Sequence, residues 1–337
     1  MKSKIIILFL TFALFSCTKK KLDVDISKIN IDLEVHRIDK EIYPKDLSSF
    51  SDNTARLEQQ YPDFWNLYIY KVLRILENET YDNEAVEYGL EIFLSDTVTL
   101  DLKNLCNKRF GNFKKEENEL SNAFRHYKYY FPDGSIPSIY TYLSGLNQSI
   151  VSADSLIGIG LDKYLGSDTE YYNRLNGVYE YQIAMMKPSQ ILPDVMYTWA
   201  ITEHVSAEQE NNVIKEMLRL GKIYYFVDAM LPSYPDSIKI AYTSRQIEFC
   251  ENNERQMWGF LIENQVLYSN KRIEIKRYND IGPFTSSFGK ESPGRVGAWI
   301  GWQIIRSYMK NNPQVTLQQL MENIDLQQIF LASGYAP

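Results

Sequence analysis

The segment Glu291–Lys310, ESPGRVGAWIGWQIIRSYMK, constrains the fold more than any other part of the chain. Gly294, Gly297, Ala298 and Gly301 recur at i, i+3, i+4 and i+7, positions that share one face of an α-helix. Each interior glycine costs a helix about 1 kcal/mol against alanine, so a stripe of them needs a reason. Close approach supplies one: where Cβ atoms are missing, a second backbone packs directly on the first. Ser292 as N-cap and Pro293 at the first helical position predict where this helix starts. On a neighbouring face Arg295, Trp299, Trp302 and Arg306 are spaced for guanidinium groups to stack on indoles, worth about 0.5–2 kcal/mol depending on exposure. Two readings stay open: a plain core helix, or a helix whose Arg295 and tryptophans line a groove.

The other segments supply what such a helix would pack against. Ile29, Ile31, Leu33 and Val35 nearly alternate, which predicts an opening strand within Asp23–Ile38. From Pro44 to Tyr130 the apolar spacing becomes helical, as in Phe64, Leu67, Tyr68, Val72 and Ile75. A turn at Phe131–Gly134 precedes two strand-like stretches, Ile136–Leu143 and Ser149–Leu161. From Pro188 onward the chain reads as helices: Pro193–His204, Glu208–Met230, Thr243–Tyr268, the glycine-striped helix and Leu317–Leu331. No linker, low-complexity tract or internal repeat divides these parts. The expectation is a single α+β domain over residues 17–337, predominantly helical with a small mid-chain sheet.

The first sixteen residues are not part of that domain. Lys2 and Lys4 precede the apolar run Ile5–Phe15, too short to span a bilayer and built like a secretory signal. It ends in Leu14-Phe15-Ser16-Cys17, similar to the bacterial lipobox, so 1–16 reads as a lipoprotein signal peptide and Cys17 as the lipidated first residue of the mature chain. Several acyl chains on Cys17 would anchor the protein stably where one would not. Thr18–Lys21 forms a tether without the acidic residues that mark inner-membrane retention or surface export, which points to the periplasmic face of the outer membrane. An exported compartment permits a disulfide between Cys106 and Cys250, while their helix-like and apolar surroundings favour two separate buried thiols.

Composition excludes one class of partner. A net charge of −7 and no basic stripe leave nothing to displace counterions from a nucleic acid. Known chemical signatures are sparse. His36, His126 and His204 stand far apart with no HExxH frame, so no zinc centre or other cofactor is expected. Ser287–Lys290 matches S-x-x-K only as a short pattern, and Gly221-Lys222 lacks the rest of a phosphate-binding loop. Ile157-Gly158-Ile159-Gly160 has no third glycine in register for a dinucleotide site. The 25 tyrosines suit an aromatic binding surface, or simply fill half-buried positions.

Six stretches carry a family resemblance covering nearly the whole mature chain: LEVHRIDKEIY (Leu33–Tyr43), YPDFWNLY (Tyr61–Tyr68), GIGLDKYLG (Gly158–Gly166), LRLGKIYYFVDAMLP (Leu218–Pro232), the ENNERQMW segment within Tyr242–Tyr268, and SPGRVGAWIGWQIIRSYM within Gly282–Asn311. Together they resemble the gliding-motility lipoprotein family GldB of the Bacteroidetes. The resemblance implies a lipid-anchored envelope protein needed for gliding and for the associated type IX secretion apparatus, with protein partners in that machinery. It carries over no catalytic residues.

Chains of this family in turn resemble, distantly, zinc metallopeptidases in which an HExxH helix is followed by a helix bearing a Glu-Gly step. On that relation Thr202-Glu203-His204-Val205-Ser206 occupies the HExxH position and Leu220-Gly221 the Glu-Gly step. Thr202, Ser206 and Leu220 would then replace all three metal ligands. Glu203 alone survives at the general-base position, with no metal-bound water to activate. The implied protein is a degenerate zincin-like pseudoenzyme whose candidate groove is marked by Glu203, Arg295 and Trp299. Its rivals are a periplasmic hydrolase with an unrecognised site and an aromatic-lined module that binds glycan or peptide.

Overall fold

The computed structural model describes residues 22–43, 50–76, 83–175, 177–204 and 212–337. The signal segment, Cys17 and Ser206 lie outside the described residues. A mixed sheet runs in the order β1 (Val35–Arg37), β2 (Ser138–Tyr142), β4 (Leu156–Gly160), β3 (Ile150–Ala153). The first three are parallel, and β3 closes the edge antiparallel to β4. Between β1 and β2 lie α1 (Ile38–Glu41), α2 (Phe50–Gln60), α3 (Pro62–Leu67), α4 (Asn83–Ser95), α5 (Thr97–Phe110) and α6 (Lys114–Tyr130), with a π-helical turn at Tyr68–Leu73. After the sheet come α7 (Glu180–Ile183), α8 (Ile191–His204), α9 (Val213–Met230), α10 (Asp236–Lys239), α11 (Ser244–Glu263), α12 (Arg272–Asn279), α13 (Val296–Asn311), α14 (Leu317–Glu322) and α15 (Leu326–Ser333). The expected class, α+β and predominantly helical with a small mid-chain sheet, is the one observed.

The sheet separates two apolar clusters. Ile139, Ile157 and Ile159 face the larger, built on α8, α9 and α13, while Tyr142 and Leu156 face the smaller, built on α2, α3 and the π-turn. The Gly-Ile-Gly pattern has its reason here. A Cβ on Gly158 would come within 2.8 Å of both the Tyr142 ring and Val151, and one on Gly160 within 2.2 Å of the Gln148 carbonyl oxygen. Isoleucine fills one face of β4 and glycine leaves room on the other, as the period of two in a strand allows.

Three sequence expectations need correction. Only Val35–Arg37 of the alternating opening segment joins the sheet; Ile31 and Leu33 pack on the large core without a strand partner. The single strand expected over Ser149–Leu161 is a hairpin, turned at Asp154-Ser155. The third concerns the start of α13, which is Val296 and not Pro293. Ser292 does not cap it: its hydroxyl accepts the Thr285 N–H at 3.2 Å and donates to the Gly289 carbonyl at 2.6 Å. The cap arrives from elsewhere, since Thr285 Oγ1 accepts the Val296 N–H at 3.3 Å. Arg295, just before the helix, is left-handed at φ 49° and ψ 40°, a region costly for a residue with a Cβ.

The glycine stripe does what close approach requires. A Cβ on Gly301 would sit 1.8 Å from the Met217 carbonyl oxygen of α9, and one on Gly221 of α9 would sit 2.3 Å from the carbonyl oxygen of Gly301. Each glycine faces the other helix's backbone, and α9 and α13 form the centre of the fold. Gly294 lies as tightly against Gly282, and Gly297 against Tyr278 and Asn279. At the far end of this pair, buried Asp228 takes hydrogen bonds from Lys239 (2.7 Å), the Trp302 indole (2.8 Å) and Arg306 (2.8 and 2.9 Å). Arg306 also stacks on Trp302, 3.9 Å from its ring, as the spacing predicts.

Candidate functional site

A cleft of about 750 Å³ is walled by α8, α9 and the approach to α13. From α8 come Asp194, Tyr197 and Thr198, spaced i, i+3, i+4, so that one helical face supplies all three. From α9 come Glu216, Arg219, Leu220 and Tyr224, again on one face. Glu216 and Arg219 pair with each other at 2.6 and 2.8 Å along the helix. Arg295 enters from the turn before α13. Met185 and Met186 complete a softer wall.

Of the charged groups that line the cleft, which also include Lys163, Lys239 and Asp280, Asp194 and Arg295 stand outside the Glu216–Arg219 pair. Asp194 accepts the Tyr164 hydroxyl at 2.8 Å, and burial pushes its carboxyl up to about 6. The Arg295 guanidinium donates to the Ile240 carbonyl and lies 5.8 Å from the ring centres of both Tyr224 and Tyr242. The Tyr242 hydroxyl donates to the carbonyl oxygen of Gly294 at 2.5 Å, which ties down the left-handed turn that carries Arg295. Among the described residues no carboxylate forms an ion pair with Arg295; Asp194 acts on it only from a distance. A cation and an acid thus face one cleft and favour each other's charged form without forming an ion pair.

A second, smaller recess is lined by Thr202, Glu203, His204, Arg219, Lys222 and Glu322. The His204 ring stacks on Phe131 with centroids 4.4 Å apart, and burial lowers its pKa to about 4. Thr202 is engaged with the edge strand, its hydroxyl 2.8 Å from that of Ser152. Among the described residues no three His, Cys, Asp or Glu side chains gather where a metal ion could be held. Cys106 and Cys250 are both free and buried.

The residues singled out in the sequence are not brought together. Arg295 lines the large cleft, Glu203 the smaller recess, and Trp299 is 3% exposed inside the core. Arg295 lies over tyrosines of α9 and of the turn before α11 instead of the tryptophans of its own helix. Leu220 faces the large cleft while Thr202 lines the small one, and Ser206 is not among the described residues. The α8 residues that share a cleft with Leu220 are Asp194, Tyr197 and Thr198, one to two turns earlier than the positions suggested by the metallopeptidase relation. Asp194 and the Glu216–Arg219 pair are not among the residues the sequence motifs mark; an acid on a mostly apolar helix is the one local signal they carry.

Fold and cleft define an α+β protein with a buried pair of helices beneath a charged recess. The family described as gliding motility protein GldB, a lipoprotein family by its model's name, matches residues 19–337, essentially the whole chain, and the protein belongs to it. That membership makes it a membrane-anchored lipoprotein with a role in gliding motility. No curated protein and no solved structure matches the chain. Among the described residues no helix is long and apolar enough to cross a membrane.

Proposed function

We propose that the protein is a lipid-anchored component of the gliding machinery and its type IX secretion apparatus, held by Cys17 at the periplasmic face of the outer membrane, and that it works through protein contacts without chemistry of its own. The observation that carries this is the family match over residues 19–337, which begins just past the cysteine of the lipobox-like signal. Lipid at Cys17 would supply the attachment that no described helix provides. The metallopeptidase relation enters only as ancestry, with Thr202, Ser206 and Leu220 standing where ligands once stood.

A second reading, an envelope hydrolase or a module that binds glycan or peptide, is favoured by one specific observation: the large cleft carries acids, an arginine and tyrosines together. Replacement of the chromosomal gene by a Cys17→Ala allele distinguishes the first reading. Acyl labelling and membrane retention should vanish and the cells should stop spreading. Gliding at the normal rate from a protein that carries no lipid would overturn the anchored role. Turnover in a screen of envelope peptides and glycans by the purified protein would replace the non-enzymatic reading with the hydrolase.

A further inference from the structure

The large cleft holds a guanidinium that, among the described residues, has no ion-pair partner. A guanidinium facing a recess is ordinarily matched by a carboxylate, because an uncompensated charge removed from bulk water is costly. Arg295 instead has a carbonyl oxygen and two tyrosine rings, and among the described residues it has no ion pair. Its backbone is held left-handed, a conformation that is costly for a residue with a Cβ and persists only where the surroundings enforce it. The strained turn aims the side chain at the cleft.

The remaining walls narrow the ligand. Lys163, Arg219 and Lys239 line the same space as Asp194, Glu216 and Asp280, but Arg219 is paired with Glu216, Lys239 with Asp228, and Lys163 donates to the Leu146 carbonyl, so a dianion such as phosphate at Arg295 would meet the Asp194 carboxylate, whereas a single carboxylate there would leave Asp194 to accept N–H groups beside it. Met185 and Met186 offer an adaptable apolar wall, suited to side chains of differing shape. A volume of about 750 Å³ is room for several residues of a chain end. We propose that this cleft captures the free C-terminal carboxylate of a peptide, with Arg295 as the anion anchor and Asp194 receiving the amide N–H groups that precede it.

This proposal stands apart from the gliding role: peptide binding is read on purified protein and gliding on cells, so either can fail alone. The full-length lipidated protein in detergent is equilibrated by dialysis against an equimolar mixture of N-acetylated tetrapeptides, and the retained peptides are counted by mass spectrometry. The mixture is supplied as free acids, as C-terminal amides, and as amides with aspartate at the penultimate position. The free acids should be retained over the plain amides by about ten- to a hundredfold, the range of a charge-assisted hydrogen bond to a guanidinium. Arg295→Gln should erase that preference and Arg295→Lys should keep part of it. Equal retention of acids and amides overturns the proposal. Retention of the aspartyl amides above the free acids overturns the chain-end assignment and transfers the carboxylate to a side chain. Displacement by inorganic phosphate at lower concentration than by acetate overturns the monoanion argument. If Arg295→Gln does not fold, the wild-type ratio of acid to amide decides alone.

Discussion

Gly301→Ala is the smallest change that tests how the two central helices meet. The added Cβ would lie 1.8 Å from the Met217 carbonyl oxygen, 2.4 Å from its carbon and 3.1 Å from its Cα. Carbon and oxygen atoms settle at about 3.5 Å, so α9 and α13 would have to part by roughly 1.5 Å along their tightest contact. The obstacle is backbone and cannot swing aside as a flexible side chain would. The cost therefore falls at the upper end of the 1–3 kcal/mol typical of overpacking, about 3 kcal/mol. Alanine's better helix propensity returns about 1 kcal/mol, which leaves a net loss of about 2 kcal/mol. For a chain of this size that lowers the melting temperature by about 3 °C. Gly259→Ala in α11 is the control, since a Cβ there meets nothing within 4 Å and should stabilise by up to about 1 kcal/mol. The pair is measured by thermal and denaturant unfolding. If Gly301→Ala melts at or above wild type, close helix approach is not what the glycine stripe secures.

The Asp228→Ala variant removes the acid that Lys239, Arg306 and Trp302 share, leaves the buried Lys239 only its longer 4.0 Å contact with Asp236, and should cost about 3 kcal/mol in denaturant unfolding; a loss below 1 kcal/mol would mean the cluster is not structural. His204 supplies a pH test: burial lowers its pKa from 6.5 to about 4, so between those values the unfolded chain binds a proton the folded chain refuses. Its contribution is present above pH 6.5 and lost as the pH falls toward 4, with Glu322 opposing and Lys222 reinforcing the shift. The melting temperature of wild type should therefore drop faster than that of His204→Gln across this window, and parallel profiles would refute the assignment. Elemental analysis of the purified protein should find no stoichiometric zinc; one zinc per chain would end the pseudoenzyme reading.

What was legible in the sequence was the part written in local periodicity. The stripe Gly294, Gly297, Ala298 and Gly301 marks a close approach because only backbone contact repays so many glycines in a helix, and Gly221 proved to be its counterpart. The spacing of Trp302 and Arg306 likewise sufficed for their stacking. The start of α13 was not legible, because Ser292 is taken up by Thr285 and Gly289, and the N–H of Val296 is satisfied by a residue from another segment. Alternation over Ile29–Val35 reports that every second side chain is half-buried, not that a neighbouring strand exists to pair with. The cleft was the least legible feature. Asp194, Glu216 and Arg295 come from three segments, and the rings beside Arg295, Tyr224 and Tyr242, meet it only in the folded chain.

The central claim is that this protein serves gliding by touching other envelope proteins, and crosslinking in moving cells tests it most directly. A photo-reactive residue is placed in turn at exposed positions on different faces: Tyr179, Ile273 and Ile324, which are 63%, 68% and 79% exposed. Cells that glide normally with each variant are irradiated, and the adducts are identified by mass spectrometry. Discrete adducts with other proteins of the gliding and secretion machinery are expected from at least one face, and should be lost when Cys17→Ala releases the protein from its membrane. Gliding cells that yield no protein adduct from any face would contradict it.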